Sequence, residues 1–142
     1  MSTSSESQLP RLHHFGFVVR SITDAIEGFC KSVGGTGWSQ TWHDPIQRVR
    51  VAFIHPALTG LPAIELVEPA DDKAFVQKFL ERGGGLHHVC YEVQNLEAEL
   101  TEAVARGVTV IRRPQPAVAF AGRRIAWVMT KETLLIEYLE AA

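Results

Sequence analysis

The chain has 142 residues, of which 46% are hydrophobic, and a net charge of −2. This is ample for a buried core, and neither sign is in the excess that draws a protein to nucleic acid or an anionic membrane surface. No run approaches the roughly 20 consecutive apolar residues of a membrane span, and two cysteines, Cys30 and Cys90, make no disulfide framework. They read as small buried hydrophobes in a reducing, cytoplasmic compartment.

The opening MSTSSESQLP is polar and lacks the charged-then-apolar pattern of a signal peptide, so residues 1–10 read as a flexible lead-in. Residues 11–142 read as one domain. Its first strand is LHHFGFVV, where Phe15, Phe17 and Val19 alternate with His14 and Gly16. A helix follows, with Thr23 or Asp24 as cap, a stripe of Ile22, Ala25, Ile26, Phe29 and Val33, and a stop at Gly34–Gly35. A short strand over 38–42, a turn at His43–Asp44–Pro45 and a strand over 48–55 come next. After the loop PALTGLP, the strand AIELVE turns Ile64 and Leu66 to the core and Glu65 away from it. Residues 11–69 thus read as a βαβββ module.

Residues 70–84 predict a linker helix that starts at Asp71/Asp72, carries Phe75, Val76, Phe79 and Leu80, and ends in glycines. The order then repeats over 85–142. The strand within GGGLHHVCYEV alternates Val89, Tyr91 and Val93 with His88 and Cys90. A helix capped by Asn95 carries Leu96, Leu100 and Val104 and closes at Gly107. A strand VTVIRR, a loop PQPAVAFAG, a strand RRIAWVM and a last strand LLIEYLE complete the module, with Glu137 in the middle of the last. The basic pairs Arg48/Arg50, Arg112/Arg113 and Arg123/Arg124 suit either an anionic ligand or solvated strand ends.

His88 lies 74 positions after His14, and Glu137 lies 72 after Glu65. Solenoid repeats are shorter, about 20–50 residues, so this spacing indicates duplication of a half-domain. Two imidazoles and two carboxylates also make a donor set for a divalent ion, the carboxylates balancing its charge. Taken singly, a histidine at a strand start is more often structural and a glutamate in a strand more often solvent-facing. Parity decides within each HH pair. The bulky rows belong under the helices, which leaves His14 and His88 on the opposite rows and His13 and His87 on the helix side or at the strand ends.

GGGLHHVCYEV, followed by NLEAELTEAVARGV, a GRR-hydrophobic strand and LLIEYLE, resembles the vicinal oxygen chelate (glyoxalase/bleomycin-resistance/dioxygenase) superfamily. Within it the chain is most similar to methylmalonyl-CoA epimerases, over about Leu12 to Leu139. The resemblance implies an α+β fold in which two paired βαβββ modules form an eight-stranded, cup-shaped sheet with the helices outside. It implies His14, Glu65, His88 and Glu137 as ligands of one divalent metal ion (Co, Mn, Ni or Zn), with Glu137 the carboxylate best placed to double as the catalytic base, or else a ligand only. It also implies an epimerase or isomerase of an acyl-CoA thioester working through a metal-stabilised enolate, and a homodimer.

The chain departs from the epimerase pattern in two places. Val51 stands where some epimerases carry a second carboxylate base, and the loop of the form HPK…GGVLIEL is shortened to MTKETLLIEYL. Rival expectations within the same fold are a glyoxalase I-like lyase acting on a glutathione hemithioacetal and a non-catalytic binding or resistance protein. Retention of all four ligands argues against the last. A ring-cleaving dioxygenase needs only three ligands and an open oxygen site.

Overall fold

The computed structural model describes residues 9–142; the first eight positions of the expected lead-in lie outside the described residues. They contain nine strands and three α-helices: β1 (Arg11–Val18), α1 (Ile22–Ser32), β2 (Gly37–Trp38), β3 (Trp42–Asp44), β4 (Val49–His55), β5 (Ala63–Pro69), α2 (Gln77–Glu81), β6 (Gly85–Val93), α3 (Leu96–Ala105), β7 (Thr109–Pro116), β8 (Arg124–Met129) and β9 (Leu135–Glu140). The chain divides into two compact units. One runs from His14 to His87, and the other joins His88–Ala142 to the strand start that ends at His13. Both divisions fall between the two histidines of an HH pair. No helix among the described residues is long and apolar enough to cross a membrane.

In the unit His14–His87 the strands run in the order β2-β4-β5-β1, with β3 beside β4. β1 and β5 are parallel, and the other pairs are antiparallel. Helix α1 covers one face, where Ile22, Ile26 and Cys30 pack on Ala52, Ile54 and Leu66. The cap is Ser21, one turn ahead of Asp24, rather than Thr23 or Asp24 as expected. Its Oγ accepts a hydrogen bond from the Asp24 backbone N–H at 3.2 Å, because only the residue preceding the first helical one reaches back to the orphan amides. The Ile22 N–H, freed by the same geometry, donates to Glu68 Oε1 of β5 at 2.8 Å. Val33 lies at the C-cap and is exposed, outside the stripe assigned to it.

The strand expected over 38–42 is two strands, which raises the count from eight to nine. Ser39 causes the break. Its N–H donates to the Phe53 carbonyl, and its own hydroxyl accepts from the Phe53 N–H, so the side chain replaces a main-chain acceptor in the ladder. His43 and Asp44 belong to β3, and the turn follows them. Asp44 Oδ1 accepts from the Ile46 and Gln47 amides, and Arg48 takes a positive φ of 59°. The linker helix is shorter than its pattern. Only Gln77–Glu81 is α-helical, since Asp71 accepts from the Lys73 N–H and binds Arg48, making a turn where a helix start was expected. Gly84 (φ 69°) then passes so near β1 that a Cβ would stand 2.7 Å from the Val18 carbonyl oxygen.

The second unit repeats the plan in the order β6-β9-β8-β7, with β6 and β9 parallel. Asn95 caps α3 as expected, its Oδ1 accepting from the Ala98 N–H at 3.0 Å. Leu96 and Leu100 are buried, and Ala103 takes the third place on the stripe while Val104 is 56% exposed. Steps of four drift around a helix of 3.6 residues per turn, so a second step of four leaves the face that a step of three regains. Residues expected as a loop extend β7 to Pro116. The ladder with β8 shifts register between Val110 and Arg112 and again between Arg112 and Gln115, the second shift spanning Pro114, and the chain then turns through a 3₁₀ segment, Val118–Phe120.

Candidate metal centre

Each unit buries one histidine and one glutamate on the sheet face that its helix does not cover. In the unit His14–His87, β4, β5 and β1 align Phe53, Glu65 and Gly16 in one cross-strand row. His14 stands two residues before Gly16 and therefore on the same face of β1. Its Nε2 lies 3.4 Å from Glu65 Oε1, with the residues 0% and 4% exposed. In the other unit, β8, β9 and β6 align Trp127, Glu137 and Cys90. His88 Nε2 lies 3.4 Å from Glu137 Oε1, each residue being 3% exposed.

The rows match member for member: an aromatic ring, a glutamate, and a small residue whose size leaves the carboxylate room to lean toward the histidine. The sequence reasoning missed the aromatic member. Phe53 makes an edge contact with His14, with centroids 5.3 Å apart and planes at 75°, and Trp127 does so with His88 at 4.7 Å and 87°. The signal was available, because Trp127 follows Phe53 by the 74 positions that separate the histidines.

The first histidine of each pair is placed differently. His13 meets Phe120 edge-on at 5.5 Å, and His87 meets Phe79 at 4.9 Å and Phe75 at 5.7 Å. Both are partly buried in aromatic surroundings. On β3, Trp42 and Asp44 share the face of Val51 and Val49, their cross-strand partners, whereas His43 pairs with Arg50 on the other face. Trp42 backs Phe53 at 6.2 Å, so the wall beside Glu65 is apolar, and Val51 is part of it.

Donor chemistry tests the fit to a metal. A carboxylate and an imidazole nitrogen at 3.4 Å are outside the usual 2.7–3.2 Å of a direct N–H···O hydrogen bond. Two N/O ligands on one ion, each about 2.0–2.2 Å from it, stand roughly 3.0–3.4 Å apart. Burying a carboxylate is costly without a cation or hydrogen bonds to balance it. The residues of each pair fit a divalent ion on these counts, and both pairs offer the nitrogen and oxygen donors that Zn, Mn, Co and Ni accept. A second feature is duplicated on the helix-covered side of each unit. Arg50 pairs with Glu68 at 2.7 Å, and Arg124 with Glu140 at 2.5 Å. These partly exposed bridges tie neighbouring strands and lie away from the buried pairs.

Comparison with known proteins extends the picture. A family model described as the glyoxalase/bleomycin resistance protein/dioxygenase superfamily matches residues 13–127. The chain is 34% identical over 133 residues to YqjC, an uncharacterized protein of Bacillus subtilis (strain 168), covering 92% of this chain and 91% of that one. It is 28% identical over 125 residues to the ethylmalonyl-CoA/methylmalonyl-CoA epimerase of Cereibacter sphaeroides, covering 86% and 90%. The solved structure of methylmalonyl-CoA epimerase from Mycobacterium tuberculosis superposes with a TM-score of 0.81 at 26% identity, covering 93% of this chain and 88% of that one.

Proposed function

The chain belongs to the glyoxalase/bleomycin resistance protein/dioxygenase superfamily and has its α+β fold, and on that premise we propose that it is a metal-dependent epimerase of an acyl-CoA thioester. The observation that carries the reading is the duplicated, buried His–Glu pair, His14 with Glu65 and His88 with Glu137. These four residues are the ligands of one divalent ion. Names of relatives support the substrate class, since the Cereibacter protein and the mycobacterial structure are both methylmalonyl-CoA epimerases.

A bound divalent ion supplies Lewis-acid stabilisation of the negative charge that develops on a thioester oxygen. The chain's own residues do the rest. His14, Glu65, His88 and Glu137 would hold the ion through two imidazole nitrogens and two carboxylate oxygens, whose two negative charges would balance it. Glu137, in the middle of β9, takes the proton from the carbon next to the thioester, and the C–H electron pair moves into the carbonyl. A second group returns a proton to the opposite face, inverting the centre. The apolar wall of Trp42, Val51 and Phe53 limits water beside Glu65, which favours proton transfer over hydrolysis.

The test is elemental analysis of chelator-free protein combined with α-proton exchange of methylmalonyl-CoA in deuterium oxide. One ion per chain with exchange supports the reading. Metal without exchange from any acyl-CoA overturns the substrate class, and a glutathione hemithioacetal becomes the next substrate to assay. The assembly proposed is a homodimer in the cytoplasm; a monomeric mass by light scattering at micromolar concentration contradicts the dimer.

A further inference from the structure

We propose that Phe53 and Trp127 are positioning residues, each holding its neighbouring imidazole in the ring orientation that turns Nε2 toward the glutamate. A histidine side chain keeps one torsion that the backbone does not fix. Its χ2 is an sp³–sp² torsion with a broad, roughly two-fold profile. A half-turn exchanges a nitrogen for a carbon on the side facing the carboxylate, and backbone register alone does not decide between the two.

An aromatic neighbour biases the choice. The face of a benzene or indole ring is electron-rich, so it favours a C–H edge against it and disfavours a nitrogen lone pair. Both histidines meet such a ring in a steep edge arrangement, at 75° for His14 with Phe53 and 87° for His88 with Trp127. In both cases the aromatic side chain stands directly across the ladder from the glutamate that Nε2 faces, Phe53 opposite Glu65 and Trp127 opposite Glu137. Directly opposed residues have Cβ atoms about 4.5–5.5 Å apart, so one ring flanks the carboxylate and the imidazole together. The glutamate's other cross-strand neighbour is small in both units, Gly16 or Cys90, and supplies no competing wall. Trp42 in turn backs Phe53. The arrangement occurs twice, at the spacing of the histidines themselves.

The orientation is a property of the metal-free protein, while its consequence for ion affinity rests on the four-ligand reading above. The experiment separates the two. Side-chain NMR of protein labelled at histidine, free of metal, should give His88 one set of ring signals with contacts to the Trp127 ring. In Trp127→Leu those signals should double or broaden while the signals of His14 stay as they were, and Phe53→Leu should do the reverse. Trp127→Phe keeps a ring and should restore the single set. Val128→Ala, whose neighbouring side chain packs on the helix side, loosens the core and should leave His88 unchanged. Cobalt(II) titration should show both leucine variants weakened by about 10–100-fold, the range typical of groups that orient a ligand.

A single sharp His88 set in Trp127→Leu, or equal broadening in Val128→Ala, overturns the proposal. If Trp127→Leu does not fold, Phe53→Leu reads the same relation in the other unit. If the wild type takes up no cobalt and the ring signals still respond, the positioning role stands and the four-ligand reading falls.

Discussion

His88 Nε2 stands 3.4 Å from Glu137 Oε1, and the same two atom types stand 3.4 Å apart in His14 and Glu65. β6 brings its histidine to β9 by parallel pairing at Cys90 and Glu137, and β1 brings its histidine to β5 by parallel pairing at Gly16 and Glu65. A duplicated backbone plan therefore delivers a duplicated donor pair.

If the two pairs serve one ion, neither should hold it alone. His14→Ala and His88→Ala should each retain under a tenth of the wild-type metal after gel filtration without chelator. Full metal content in either variant, measured by elemental analysis, removes that histidine from the ligand set.

Glu137→Gln keeps the shape and one ligand oxygen while removing the basicity. Deuterium exchange at the substrate α-carbon should fall about 10²–10⁴-fold, the usual cost of losing a general base, with metal still bound. Loss of metal together with exchange identifies Glu137 chiefly as a ligand. Undiminished exchange assigns the proton to another group, and Asp44, on the face of β3 shared with Trp42, is the residue to substitute next.

The two faces of α3 predict opposite outcomes. Leu96 is fully buried against Val128 and Tyr138 in the second core. Leu96→Ala should lower unfolding free energy in urea by about 2–5 kcal/mol. Val104→Ala, on the exposed side, should change it by no more than about 0.5 kcal/mol. Similar values for both would contradict the rotation of the helix.

Acid stability should depend on Glu140. The hydrogen bonds from the Arg124 guanidinium hold its carboxyl below the usual carboxylate range. A carboxyl lowered in the folded state stabilises the protein above its unfolded pKa of about 4.3, and that contribution is lost as pH falls through the lower folded value. The pair is open to solvent, so screening keeps its contribution small. Glu140→Gln should therefore be slightly less stable near neutrality, with the gap to wild type closing in acid. Denaturation curves that stay a constant distance apart across this range would rule the pair out as a source of acid sensitivity.

Much of this architecture was legible in the linear chain because its signals are periodic and occur twice. Alternation of period two put His14 and His88 on the rows away from the helices, and the repeat spacing matched each with a glutamate. Asn95 and Gly107 bounded α3 through local chemistry alone. Where side chains compete with the backbone for hydrogen bonds, the pattern misled. Ser39 split a strand by accepting from the Phe53 amide, Ser21 took the cap expected of Thr23 or Asp24, and Asp71 made a turn through Lys73 and Arg48 in place of the expected helix start.

The residues that can carry chemistry are thus a property of order along the chain, since a strand's parity settles which face each side chain takes. Only the fold decides which atoms meet. Pairing of β1 with β5 and β6 with β9 closes distances of about 50 residues in sequence to 3.4 Å between side chains. Register across β4–β5 and β8–β9 adds Phe53 and Trp127, which hydrophobic periodicity treats as ordinary core. Cross-strand register depends on long-range packing and loop closure, and no local pattern contains it.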